Sequence, residues 1–178
     1  MKITMVAAMS KDGFLSKGDD PNPAHWTSLE DKRHYRSLVE SFTLQVMGRT
    51  TYDSYDFPTK SNILKVVLTT NPEKYKKDQI LGELEFHTAT PAEFVNKYES
   101  DYAEALVLGG ANVYQQFIDQ EIVDEIYITI EPVFHGSGVS LYGEAHDLDE
   151  LLQDFRLVHS KKLNNNGTIL NRYKKIQP

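Results

Sequence analysis

The sequence predicts an α/β fold: a single, mostly parallel central sheet of about eight strands, flanked by helices and closed by an antiparallel C-terminal hairpin. Three observations carry that prediction. Short β-prone runs alternate with helix-period segments from residue 2 to residue 131, and parallel neighbours require crossover helices. Two of the runs pass through glycine into a helical pattern, at Gly48 and at Gly109-Gly110. Near the end, Asn164-Asn165-Asn166-Gly167 separates two further strand-like runs, and Asn and Gly tolerate the positive φ of a hairpin turn.

In chain order, the first strand is read at Lys2 to Met9, with Met5 and Met9 as core gap-fillers. Trp26-Thr27-Ser28-Leu29-Glu30-Asp31 then opens a helix over Leu29 to Ser41, with Thr27 and Glu30 at the spacing of a capping box. A strand at Leu44 to Met47 leads through the turn at Gly48 to a short helix over Thr50 to Tyr55. Strands follow at Leu64 to Leu68 and Glu83 to His87, the first of them ending in Thr69-Thr70 before a proline-marked turn. Next come a helix over Pro91 to Glu99, a strand at Ala105 to Leu108 and a helix over Ala111 to Asp119, on which Val113, Tyr114, Phe117 and Ile118 share a face. The last strands are read at Glu125 to Glu131, Phe155 to Leu163 and Thr168 to Ile176.

A length of 178 residues suits one domain, 1–178, with a full core and is too short for two ordinary ones. Nineteen basic against 26 acidic side chains give a net charge of −7, which argues against a broad nucleic-acid surface or binding to an anionic membrane. A polyanionic ligand then needs a locally positive pocket. The absence of cysteine excludes disulfides, thiolate nucleophiles and cysteine-ligated metals. Residues 1–9 are too short for a signal peptide and no apolar stretch reaches membrane-spanning length, so a soluble cytoplasmic protein is expected. Histidines 25, 34, 87, 135, 146 and 159 show no spacing that pairs two on one helical face, and no metal site is expected. Gly136-Ser137-Gly138 lacks the strand-to-helix setting of a serine nucleophile and reads as a loop; Asn166-Gly167-Thr168 matches a glycosylation sequon but reads as the hairpin turn.

Chemistry concentrates in four places. Gly109, Gly110, Ala111, Asn112, Val113 and Tyr114 form a strand–turn–helix junction where glycine admits close backbone approach and a helix N-terminus favours phosphate. Gly48, Arg49, Thr50 and Thr51 repeat that logic with a fixed positive charge and two hydroxyls. Leu68, Thr69 and Thr70 end a third strand, and the three segments together suit a phosphorylated dinucleotide. Asp31, Tyr35, Leu38 and Phe42 recur at steps of four, three and four, which places a carboxyl group on an apolar helix face. Such a carboxyl either complements the helix N-terminus or, desolvated, keeps its proton near neutrality and serves as an acid.

The order of these motifs resembles the dihydrofolate reductase fold family over nearly the whole chain. Val6-Ala7-Ala8-Met9 with Asp12-Gly13-Phe14-Leu15 is similar to the family's first strand and following loop, and Trp26 precedes Asp31 by the family's spacing. The resemblance implies NADPH as cofactor. Its pyrophosphate would lie at Gly48 to Thr51, its 2′-phosphate at Leu68, Thr69 and Thr70, and its nicotinamide by Ala7 and the Gly109–Tyr114 segment. It implies Asp31 and Thr129 as the catalytic pair, with Val6, Ala8, Trp26, Tyr35 and Leu108 around the substrate. Glu131 to Tyr142 looks more like the reductase domain of bacterial riboflavin synthesis, a branch that suggests a homodimer and a small heterocyclic substrate. The arginine that clamps the glutamate tail of folate has no counterpart between Tyr55 and Leu68, where Lys60 and Lys65 are the basic residues. Dihydrofolate reduction, and a non-catalytic NADPH sensor, stand as the alternatives.

Overall fold

The computed structural model describes residues 1–18, 20, 22–54, 57–141 and 148–176. Its strands are β1 (Lys2–Ser10), β2 (Leu44–Gly48), β3 (Leu64–Leu68), β4 (Leu84–His87), β5 (Glu104–Val107), β6 (Glu125–Glu131), β7 (Phe155–Lys162) and β8 (Ile169–Lys175). The helices are α1 (Leu29–Ser41), α2 (Arg49–Ser54), α3 (Pro91–Tyr98), α4 (Ala111–Asp119) and α5 (Leu148–Leu152). One eight-stranded sheet runs in the order β4-β3-β2-β5-β1-β6-β8-β7. The first six strands in sequence pair in parallel, and β8 joins β6 and β7 antiparallel. The predicted α/β sheet with a C-terminal hairpin is the observed one.

Both faces of the sheet are covered, which is why β2 and β3 read as continuous apolar runs. On one face Ile3, Met5, Val46 and Val107 pack under Phe94 of α3 and Phe117 of α4, whose rings meet edge-on at 6.0 Å. On the other, Val6, Met47, Val67 and Leu106 pack with Phe42, Tyr35 and Leu38, the apolar stripe of α1 and its C-terminal end. The buried carboxylate of Glu125 on β6 is held by Lys2 at 2.6 Å and by Arg172 of β8. Edge strand β7 is exposed along most of its length; a bulge between Leu157 and His159 and the lysines at 161 and 162 discourage further pairing there.

Four local details differ from the sequence reading. Gly48 is the last residue of β2, and α2 begins directly at Arg49 without an intervening turn; the expected helix end at Tyr55 lies outside the described residues. The N-cap of α1 is Ser28, not Thr27: Ser28 Oγ accepts the Asp31 N–H at 3.2 Å, while the Thr27 side chain is drawn to the Asp31 carboxyl. Glu30 closes no capping box and instead accepts from Asn164 Nδ2 at 3.2 Å. Helix α5 was not anticipated, because five residues are too few to display a 3.6-residue period, although Leu148, Leu151 and Leu152 pack on the core. Among the described residues no helix is long and apolar enough to cross a membrane.

Candidate active site

A cavity of about 630 Å³ opens at the carboxyl ends of the parallel strands, within the size range of small-molecule and cofactor sites. Two glycine junctions form one wall. The Gly48 N–H donates to the Gly109 carbonyl at 2.6 Å, so the β2–α2 and β5–α4 junctions lie against each other. A Cβ on Gly48 would come within 2.9 Å of Val113, and one on Gly109, whose φ is +102°, within 2.9 Å of the Tyr114 ring. Glycine is therefore demanded here by packing as well as by any ligand. Gly110 caps α4 without a side-chain bond, leaving the first-turn N–H groups of Ala111 and Asn112 at the cavity wall. Tyr114 then donates its hydroxyl to the Val6 carbonyl and ties α4 to β1.

The same wall carries the polar groups that the sequence singled out. Arg49, Thr50 and Thr51 of α2 line the cavity, with Arg49 half-exposed and 3.0 Å from Asp53. Leu68, Thr69 and Thr70 line it at the end of β3. Thr88 and Ala89, which follow β4 as Thr69 and Thr70 follow β3, also line it. The sequence reading missed them, although their place just beyond a strand end was the available signal.

Asp31 lines the cavity too, as do Val6, Ala7 and Ala8 of β1, Tyr35 of α1 and Leu108. Asp31 is buried at 7% exposure. Burial pushes its carboxyl above the ordinary aspartate range; hydrogen bonds from Thr129 and Thr27 and the charge of Lys32 work against that rise, and the charge of Glu131 adds to it. Thr129 lies buried behind Asp31 and does not line the cavity itself. Neither does Trp26, whose ring meets that of His135 edge-on at 4.7 Å, nor Gly109. Lys32 lines the cavity although the sequence reading passed over it, since a surface lysine beside an acid carries no distinguishing pattern.

Two loops frame the opening. The segment after β1 pairs with residues 133–140: Leu15 N–H donates to Val139 O at 2.7 Å, and Val139 N–H to Ser16 Oγ at 2.9 Å. Leu15, Ser16 and Val139 all line the cavity, which gives the Gly136-Ser137-Gly138 loop a place beside it. Of the two lysines considered for a folate tail, Lys60 pairs with Glu40 at 3.4 Å and Lys65 donates to the Pro58 carbonyl at 2.8 Å; neither lines the cavity. Among the described residues no group of three or more His, Cys, Asp or Glu side chains converges as metal ligands; His146 lies outside those residues.

The family model for dihydrofolate reductase matches residues 2–165. The chain belongs to the dihydrofolate reductase family. The uncharacterized protein YwjB of Bacillus subtilis (strain 168) is 26% identical over 151 residues, covering 80% of this chain and 83% of that protein. Solved structures share the fold at lower identity. A candidate riboflavin biosynthesis protein of Shewanella sp. PV-4 superposes with a TM-score of 0.73 at 21% identity, covering 99% of this chain and 100% of that one. The diaminohydroxyphosphoribosylaminopyrimidine deaminase/5-amino-6-(5-phosphoribosylamino)uracil reductase of Thermotoga maritima also scores 0.73, at 16% identity, over 98% of this chain and 56% of that one. Dihydrofolate reductase of Enterococcus faecalis, complexed with NADP(H) and RAB-propyl, scores 0.70 at 18% identity over 99% and 97% of the two chains. The family and the solved structures together make this a reductase-like fold built around the cavity described above.

Proposed function

We propose that this chain is an NADPH-dependent reductase acting on a C=N or C=O bond of a small heterocycle, of the kind reduced in riboflavin synthesis. One observation carries the reading: a buried carboxyl group lines the same cavity as a pair of hydrogen-bonded glycine junctions furnished with Arg49 and hydroxyls.

The residues present fit the cofactor. Arg49, Thr50, Thr51 and the first turn of α4 offer a cation, hydroxyls and unpaired N–H groups to a pyrophosphate, and Thr69 and Thr70 offer hydroxyls to a 2′-phosphate. Ala7 and the Gly109–Gly110 turn would border the nicotinamide. When bound, NADPH supplies the hydride; the protein supplies orientation and a proton. Asp31 holds that proton, retained by burial and by the nearby charge of Glu131, while Thr129 and Thr27 orient the carboxyl and receive it as a carboxylate once the proton has left. Val6, Ala8, Tyr35 and Leu108 would shape the apolar pocket around the substrate ring.

Dihydrofolate fits less well, because the two lysines in the segment of the tail-clamping arginine, Lys60 and Lys65, are engaged elsewhere and do not line the cavity. A non-catalytic sensor has no use for a buried acid backed by a threonine. Titrating NADPH with protein and following nicotinamide fluorescence tests the cofactor, and a panel of pterins, pyrimidines and simple carbonyl compounds tests turnover. No change in fluorescence sinks the reading outright; binding without turnover of any panel member favours the sensor.

A further inference from the structure

The first turn of α1 is capped in an unusual way, and the exception falls on the residue carrying the acid. In α3 the capping box is complete within the helix: Thr90 Oγ1 accepts the Glu93 N–H at 3.3 Å, and the Glu93 carboxylate accepts the Thr90 N–H at 2.8 Å. In α1 the cap is Ser28 and the third helical residue is Asp31, so Asp31 is the carboxylate expected to return to the Ser28 N–H. It does not. That N–H donates instead to Oε1 of Glu131, from the end of β6, at 2.7 Å.

Glu131 is itself buried, at 3% exposure. Its second oxygen accepts the Thr168 hydroxyl at 2.7 Å; Thr168 in turn accepts from Asn164 Nδ2 at 2.9 Å in the β7–β8 turn. One carboxylate thus joins three distant pieces of chain: the start of α1, the end of β6 and the C-terminal hairpin. The bond it makes to Ser28 leaves the Asp31 carboxyl unoccupied by capping and available to the cavity.

We propose that Glu131 is a positioning residue for Asp31: it makes the capping bond in Asp31's place, anchors the first turn of α1 to the sheet, and sets a second carboxylate charge behind the acid. The inference rests on the proton-donor reading of Asp31 given above. Two charged side chains act on Asp31, Glu131 from β6 favouring its protonated form and Lys32 on α1 opposing it, while Thr129 of β6 and Thr27 before α1 donate hydrogen bonds to its ionised form. Removing the Glu131 charge while keeping its shape should therefore make Asp31 release its proton at lower pH.

Carbon-detected NMR of the Asp31 side-chain carboxyl, followed through a pH titration, reads this directly and needs no substrate. In Glu131→Gln the Asp31 transition is expected to move to lower pH; the amide oxygen still accepts from Ser28, but the amide nitrogen cannot accept the Thr168 hydroxyl, so a modest fall in thermal midpoint is expected beside it. The descending limb of the turnover–pH profile should move the same way. An Asp31 transition that is unmoved, or moved upward, overturns the proposal. Should Glu131→Gln fail to fold, the unmutated protein still decides: the Ser28 N–H, held by Glu131, must be protected from hydrogen exchange, and a Ser28 amide that exchanges as an open one overturns the proposal. Absence of reductase activity with the NMR shift present would overturn the functional reading and leave this one standing.

Discussion

The Asp12 carboxylate accepts the backbone N–H of Gly136 at 2.7 Å, joining positions 124 residues apart in sequence. The same carboxylate accepts the His135 N–H, with both oxygens at 3.1 Å. These bonds fasten the loop after β1 to the loop after β6, and both loops border the cavity through Leu15, Ser16 and Val139. Burial works to raise the Asp12 value, but hydrogen bonds from Ser10, Gly136 and His135 outweigh it and bring the group down to about 2.

A carboxylate lowered in the folded state stabilises that state above its unfolded value of 3.8, and the contribution is lost as pH falls through about 2. Hydrogen exchange at the Gly136 and His135 amides should accordingly be slow at neutral pH and lose protection across that acid window. Asp12→Ala should remove the protection at neutral pH, several-fold at Gly136, with little effect on amides of β2 or β3. Unchanged exchange at Gly136 in the variant would show that the loops are held by their backbone pairing alone.

Asp31→Asn should slow turnover by about a hundredfold to ten-thousandfold, the usual range for a positioned acid, while NADPH binding stays nearly intact. The geometry supports the separation, since Asp31 stands on α1 and the phosphate-suited groups stand on α2, β3 and α4. In the unmutated protein the rate should fall as pH rises through the elevated Asp31 value, because the proposed acid acts in its protonated form. Stability moves in the same sense: the folded state binds this proton more tightly than the unfolded chain, so stability is lost as pH rises through the folded value. Asp31→Asn should therefore be the more heat-stable protein at neutral pH, by calorimetry. A variant that is both fully active and no more stable would assign Asp31 to the helix terminus and nothing further.

Arg49→Ala should weaken NADPH binding and erode the preference over NADH. A charge-assisted bond to phosphate contributes roughly 1.5 to 3 kcal/mol, on the order of tenfold to a hundredfold in affinity. The Arg49–Asp53 pair at 3.0 Å competes for the guanidinium, which places the expected loss nearer the lower figure. Fluorescence titration of both cofactors against both proteins measures it, and equal affinity for NADPH and NADH before mutation would contradict the assignment.

Dihydrofolate should be a poor substrate through a raised KM more than a lowered kcat, and a tail-less pterin should lose little by comparison. Lys60 is already paired with Glu40 at 3.4 Å, and Lys65, whose ammonium burial holds below the ordinary lysine range, donates to the Pro58 carbonyl. Neither offers the two-pronged grip that an arginine gives a carboxylate. Saturation by dihydrofolate at micromolar concentration, without saturation by the tail-less compound, would make folate reduction the better description.

Local chemistry by itself determined the strands, the helices other than α5, the fold class and the face on which Asp31 lies. Strand and helix periods, the Asn-rich turn before Gly167 and the two glycine junctions are properties of consecutive residues, and they emerge from sequence with boundaries one residue or so from those observed. Tyr35 and the Arg49 and Thr69 segments could be named for the same reason, sitting at helical spacing from Asp31 or at strand ends, whereas Val6, Ala8 and Leu108 are named through the resemblance to the family. Tertiary structure alone decided which distant groups meet. Whether Thr27 or Ser28 caps α1 depends on Thr27 being drawn to a buried carboxyl, and whether Asp31 is free for the cavity depends on Glu131 arriving from a strand 100 residues later to accept from Ser28, at |i−j| of 103. Asp12 and Gly136, and the stacking of Gly48 on Gly109, are settled by the sheet order that sets β2 beside β5 and β1 beside β6. Buried hydrogen bonds of this kind have no sequence period, because each donor is matched to its acceptor only once the chain has closed around both.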